Sequence, residues 1–186
     1  MRRQSIHGHT ELMTTASVAL LRGINVGGHG KLKMDALRDA VRGLGFGDVS
    51  TYIQSGNVIF TSDGPVDTVD FERSLRAALG TDVTVIVRTA GELAQIIRAN
   101  PFTTADSSGI HVGFMAHAPD PLAVEHLDLL RFAPDEAAIV GAELYLHLPD
   151  GIGRAKLPDH VARQLKVPFT VRNWNTVSKL VELTTA

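Results

Sequence analysis

Ser50-Thr-Tyr-Ile-Gln-Ser-Gly-Asn-Val-Ile-Phe-Thr-Ser62 is the stretch on which the fold turns. Ser50 to Gln54 and Val58 to Ser62 are rich in β-branched and aromatic residues, as strands are. Ser55-Gly56 between them has the length and glycine content of a tight hairpin. A helical period flanks the hairpin on each side. Upstream, Met34, Leu37, Val41 and Leu44 fall on one face, with Asp35, Arg38, Asp39 and Arg42 on the other. Gly45 and Gly47 end that helix. Downstream, a helix from about Val69 turns Phe71, Leu75, Ala78 and Leu79 inward, with Asp67 or Thr68 as its cap. Val18 to Leu21 and Val83 to Arg88 add one strand at each end. The order is βαββαβ.

The second half repeats that order. Thr89-Ala-Gly-Glu92 has the spacing of a capping box and opens a helix presenting Leu93, Ile96 and Ile97, which Asn100-Pro101 stops. Ile110 to Met115 is a strand. Asp120-Pro121 begins a helix carrying Leu122, Leu127 and Leu130. Ala137 to Val140 and Glu143 to Leu148 form a hairpin around Gly141-Ala142. Leu157, Val161 and Leu165 mark a helix, and Val167 to Arg172 a strand. A last helix with Val177, Leu180 and Val181 follows Asn173 or Asn175 as cap. The fold class is α+β: two tandem ferredoxin-like plaits with extra helices. Residues 1–15 read as a disordered leader, 16–89 as the first plait, and 90–186 as a helical connection, the second plait and a C-terminal helix. In each plait one sheet face is left bare. The two faces are expected to pack on each other or on the helices after Thr89 and Asn173.

The 186-residue chain is 44% hydrophobic and 20% charged, as soluble globular proteins are. It has no cysteine, which excludes disulfides and thiolate chemistry and suits a reducing cytoplasm. No apolar run reaches the roughly 20 residues of a membrane span. Residues 103–150 hold one base against eight acids, whereas residues 151–179 hold six bases against one acid. The basic stretch either attracts phosphates or complements the acidic one.

Four segments gather glycine, asparagine and cations where strands end. They are Arg22-Gly-Ile-Asn-Val-Gly-Gly-His-Gly-Lys-Leu-Lys33, Gln54-Ser-Gly-Asn57, Asp150-Gly-Ile-Gly-Arg-Ala-Lys156 and Arg172-Asn-Trp-Asn-Thr176. Glycine frees backbone N–H groups, and the side chains add donors, so such loops hold anions or are merely turns. The first segment fails the P-loop pattern twice, at Asn25 and at Leu32. The third lacks the last glycine of a dinucleotide fingerprint. Ser55 sits in a hairpin rather than on a nucleophile elbow. Trp174 stacks a ligand ring or anchors the last helix. His111 and His117 bracket a strand, six apart and so formally on one face, but no histidine spacing matches a zinc motif, and no metal is assigned. The sequence assigns no cofactor.

Together these four motifs resemble a large bacterial family of conserved hypothetical proteins of unknown function. The resemblance runs from about Ala16 to the C-terminus and implies a pair of ferredoxin-like plaits. Ala155 stands where serine is common in such proteins. The family brings no activity that can be carried over to these residues.

The first functional expectation is binding of a phosphorylated or otherwise anionic ligand, a nucleotide or a nucleic-acid end. The residues expected to bind it are Arg22, Asn25, Gly27, Gly28, Lys33, Gln54, Asn57, Arg154, Lys156, Arg172 and Asn173. The second is an enzyme acting on a small anionic substrate between the plaits, with Tyr52, His29 or Asp150 moving protons. The third is a structural or oligomerising module. The first two require the loops to converge. The first loop and the Gln54 hairpin are expected at opposite sheet edges, so convergence would need the second plait.

Overall fold

A computed structural model of the chain describes residues 14–22, 24 and 32–186. Thr15–Arg22 (β1), Met34–Gly43 (α1), Gly47–Tyr52 (β2), Asn57–Ser62 (β3), Thr68–Leu79 (α2) and Thr84–Thr89 (β4) make the first βαββαβ unit. Ala90–Arg98 (α3) follows it. Ile110–Met115 (β5), Pro121–Glu125 (α4), Glu136–Val140 (β6), Glu143–His147 (β7), Leu157–Leu165 (α5) and Phe169–Asn173 (β8) make the second, and Trp174–Thr185 (α6) closes the chain. The two four-stranded antiparallel sheets have orders β2-β3-β1-β4 and β6-β7-β5-β8. These are the same topology twice, that of the ferredoxin-like plait.

Strand alternation divides the molecule into three cores. On β1, Ala19 and Leu21 face Leu37 and Val41 of α1 and Phe71 and Leu75 of α2. Val18 and Leu20 face the other way. There they meet Val112, Phe114 and Tyr145 of the second sheet, Leu93 and Ile96 of α3, and Val177 and Leu180 of α6. The third core lies between the second sheet and α5. Both expected partners of the bare faces are therefore present, the opposite sheet and the two trailing helices. Each such side chain, fully buried, contributes about 1.5–3 kcal/mol, so this inter-sheet layer is a true core. Tyr145 ties it down by donating from its hydroxyl to the Ile96 carbonyl, 2.8 Å away.

Caps follow the sequence closely. Asp67 accepts from the Val69 and Asp70 amides. Thr89 and Glu92 form the capping box, and Asn173 accepts from the Thr176 amide. Val140 pairs with Glu143 around Gly141-Ala142, a two-residue hairpin.

Four expectations are corrected. The first hairpin is not a two-residue turn. Tyr52 pairs with Asn57, so residues 53–56 form a four-residue loop. The helix after Asp120 is only Pro121–Glu125, and Leu122 and Leu130 are exposed at 63% and 91%. Leucine spacing alone did not decide there, because the chain turns into the β6 approach. Ala78 is exposed rather than inward. Finally, β1 begins at Thr15, inside the expected leader, while Met1 to Met13 lie outside the described residues.

Candidate functional site

The C-terminal end of β1 is where the motifs meet. β1 and β3 are hydrogen-bonded neighbours, with Leu20 opposite Asn57. The expectation that the first loop and the Gln54 hairpin sit at opposite edges is therefore corrected: Leu21, just before the loop, and Ile24 within it lie against Gly56 of the hairpin. The Leu21 amide donates to the Gly56 carbonyl at 2.8 Å. Gly56 has φ +78°, and a Cβ on it would lie 2.5 Å from Ile24 Cδ1 and 2.9 Å from Leu21 Cβ. Glycine is required there by conformation and by space. Gly56→Ala is expected to cost about 2 kcal/mol from left-handed strain plus the overlap with Ile24, read as a lowered urea midpoint with unchanged m-value.

Arg172 on β8 reaches this end of β1 from the second plait. Its Nε donates to Asn57 Oδ1 at 2.6 Å, and its Nη2 to the Leu21 and Ser55 carbonyls at 3.0 and 2.9 Å. Its Nη1 donates to Thr170 Oγ1 at 2.7 Å and to the Val171 carbonyl at 2.9 Å. All five donors of a guanidinium are thus engaged. None of the five acceptors is a carboxylate. Burial pushes Arg172 down to about 10, so it is still charged at neutral pH. Asn57, fully buried, donates from Nδ2 to the Tyr52 carbonyl and to Ser55 Oγ. This network holds the loop although Ile53, a β-branched residue, sits at φ +50°.

Arg88 on β4 is the counterpart of Arg172. Its Nε donates to Glu143 Oε1, 2.8 Å away, and its Nη1 to the carbonyl of the preceding residue, Val87. Its Nη2 donates to the Met115 carbonyl at the end of β5. Glu143 opens β7 as Asn57 opens β3, and Thr89 caps α3 as Asn173 caps α6. Each plait thus sends one arginine into the other. One clamp has a carboxylate partner and the other has a neutral amide in its place, which leaves a buried positive charge uncompensated.

A cleft of about 600 Å³ is lined by the chain neighbours of this joint, Arg22 next to Leu21 and Val171 next to Arg172. Arg22 enters it from the first plait. Ile152, Gly153 and Ala155 of the third motif, Lys166 at the C-terminal end of α5, and Phe169 and Val171 of β8 line the rest. Asp159 is the acid on its wall. α5 carries Lys156 at its N-cap position with no side-chain cap, and α1 likewise carries Lys33. These two helices follow the first and third motifs. An uncapped helix start leaves amide donors and partial positive charge for a ligand.

The structure brings the expected residues together unevenly. Arg22 lines the cleft. Arg154 and Lys156 are exposed beside a neighbouring hollow of about 230 Å³ with Asp135 and Asp150. Gln54 is exposed on its loop and Lys33 is exposed ahead of α1. Asn57 and Arg172 are interior joint residues, and Asn173 is occupied as a cap. Trp174 packs on the inter-sheet core. Asn25, Gly27, Gly28 and His29 lie outside the described residues. Tyr52 also packs against the inter-sheet core. His160, buried on α5, accepts from Arg131 at Nδ1. Burial first, then Arg131 and Arg163, hold it below the usual imidazole range. Among the described residues no three His, Asp or Glu side chains gather into a metal-binding group. Also among them, no helix is long and apolar enough to cross a membrane. Sequence reading missed Arg88, Glu143, Lys166 and Ile152. None stands in a glycine–asparagine cluster with cations except Ile152, whose apolar side chain carries no signal.

A conserved bacterial protein of Streptococcus pneumoniae, SP0830, is similar in structure. Its TM-score is 0.68 at 24% identity, covering 92% of this chain and 99% of that one, and this likeness shows the fold alone. A chlorite dismutase candidate, TA0507, covers 91% of this chain and 98% of its own at 12% identity, but with a TM-score of 0.28 it carries no argument. No curated protein matches. A family model described as a protein of unknown function, DUF1697, matches residues 13–145. That span is well over half of the sequence, and the chain belongs to the DUF1697 family.

Proposed function

We propose that the protein binds a small phosphorylated or otherwise anionic ligand in the cleft where the plaits meet. The carrying observation is the charge at that joint. Arg172 is buried without a carboxylate where its counterpart Arg88 has Glu143. Arg22, one peptide bond beyond the Leu21 carbonyl held by Arg172, lines the cleft, as does Lys166. A low-dielectric wall concentrates such a field on the opening, where an anion supplies the missing counter-charge. On this reading Arg22 contacts the ligand, with Lys33, Arg154 and Lys156 close to the two uncapped helix starts. Arg172 and Asn57 hold the walls. Residues 16–89 contribute Arg22 to the cleft and residues 90–186 the rest of its lining, and the protein works in the cytoplasm.

A second reading has one observation in its favour. Gly56, Asn57 and Arg172 belong to the joint itself, so two of the four motifs have a structural use. Thermal unfolding with inorganic phosphate, pyrophosphate, sugar phosphates, nucleotides and short RNA separates the two. A ligand at a hundred times its Kd stabilises by about 2.7 kcal/mol, which raises Tm by roughly 5–10 °C in a chain this long. Arg22→Ala and Lys166→Ala, both at the cleft, are expected to abolish that shift while leaving the ligand-free Tm within about 1–2 °C. If no compound shifts the wild type, or the shift survives in Arg22→Ala, the cleft reading is lost and the joint reading stands.

A further inference from the structure

We infer that the cleft takes a phosphorylated compound carrying a flat ring with hydrogen-bond donors, of the nucleoside monophosphate class. The inference rests on the anion reading above and narrows it. The cleft runs along one side of α5, from Pro158 to Lys166, a length of about 12 Å at the helical rise. Its volume of about 600 Å³ falls in the range of roughly 300–1,000 Å³ that holds a small organic molecule. A bare phosphate or carbonate would leave most of it filled with water.

The lining is divided by chemistry. Ile152, Pro158, Pro168, Phe169 and Val171 make an apolar wall. Ile152 is 42% exposed, and Phe169 and Val171 are half-buried, so this wall presents surface to an occupant. Covering such surface with a ring is favourable, and Phe169 adds an aromatic contact. The two cations, Arg22 and Lys166, suit one phosphate rather than a polyphosphate or a nucleic-acid backbone. A longer anion would also meet Asp159. That same carboxylate accepts from a ring N–H or a ribose hydroxyl. A fatty acid or phospholipid tail offers it no donor and would leave it facing hydrocarbon, which is costly.

The test is isothermal titration of the full chain with adenosine, guanosine, cytidine and uridine 5′-monophosphates, ribose 5-phosphate, adenosine and inorganic phosphate. At least one monophosphate is expected to bind ten or more times tighter than ribose 5-phosphate, and adenosine more weakly than its monophosphate. Ile152→Ala, at an exposed position where folding is undisturbed, is expected to weaken the monophosphate at least threefold and leave ribose 5-phosphate unchanged. Phe169→Leu, which keeps bulk in the third core, is expected to do the same. If ribose 5-phosphate binds as tightly as every monophosphate, or Ile152→Ala weakens both alike, the ring has no seat and the inference is overturned, while the anion reading survives. If adenosine matches its monophosphate, or nothing binds, both are overturned.

Discussion

Arg172→Ala is expected to lower the midpoint of thermal unfolding by about 10 °C. The variant strands the Leu21 and Ser55 carbonyls, Asn57 Oδ1 and Thr170 Oγ1 at the joint. Each hydrogen bond to a charged donor contributes about 1.5–3 kcal/mol net. Burying an uncompensated guanidinium is itself costly, and the variant recovers that part. The balance is a loss of about 3–5 kcal/mol, and a chain of this length loses roughly 2–4 °C per kcal/mol. Arg172→Lys keeps the charge but replaces a five-donor fork with three donors on one atom, so it recovers only part of the loss. Urea unfolding gives the numbers directly. A loss below about 1 kcal/mol in Arg172→Ala would show that the inter-sheet core alone holds the plaits together.

Glu143→Ala and Glu143→Gln are expected to differ sharply. Arg88 and Glu143 have side chains only 11% and 15% exposed, and pair at 2.8 Å. Removing one member of a buried pair leaves the other charge stranded, at about 3–5 kcal/mol. Glutamine keeps an oxygen for Arg88 Nε and converts the site into what Asn57 already provides to Arg172. Its cost is expected to be about 1 kcal/mol, that of a charged bond made neutral. Chemical denaturation of the two variants side by side checks this. Equal losses would mean that the carboxylate charge itself is needed at Arg88, and the equivalence of the two clamps would fail.

Much of the architecture was legible in the residues. Thr89 and Glu92 announced a helix start with local chemistry alone. Gly141-Ala142 fixed a hairpin, and the 3.6-residue spacing of Leu37 and Val41 fixed a buried face. What failed were the places where distant contacts override local preference. Ser55-Gly56 looks like a complete turn, but the Arg172 and Asn57 network holds Ile53 at a positive φ and opens the loop to four residues. Leu130 continues an apolar spacing yet stands in solvent, because the chain has already left the helix.

The site was legible only in outline. Arg22 and the third motif were flagged, and they share a cleft. Arg172 stands out in the sequence by its charge, and the structure shows its guanidinium bonded to five acceptors. Nothing local shows that oxygens from residues 21, 55 and 57 come to meet it from the other plait. Arg88 and Glu143 went unnoticed because neither has glycine or asparagine beside it. Their equivalence to Arg172 and Asn57 becomes visible only when the two strand orders are laid over each other.

The apolar layer between the sheets has a consequence for any attempt to halve the gene. A polypeptide ending near residue 98 would carry Val18, Leu20, Ile59 and Ile86 on a surface with only α3 to shade it. Two such fragments could hide that surface only by stacking back to back, so the expected product is a symmetric dimer or a precipitate, never a well-behaved monomer.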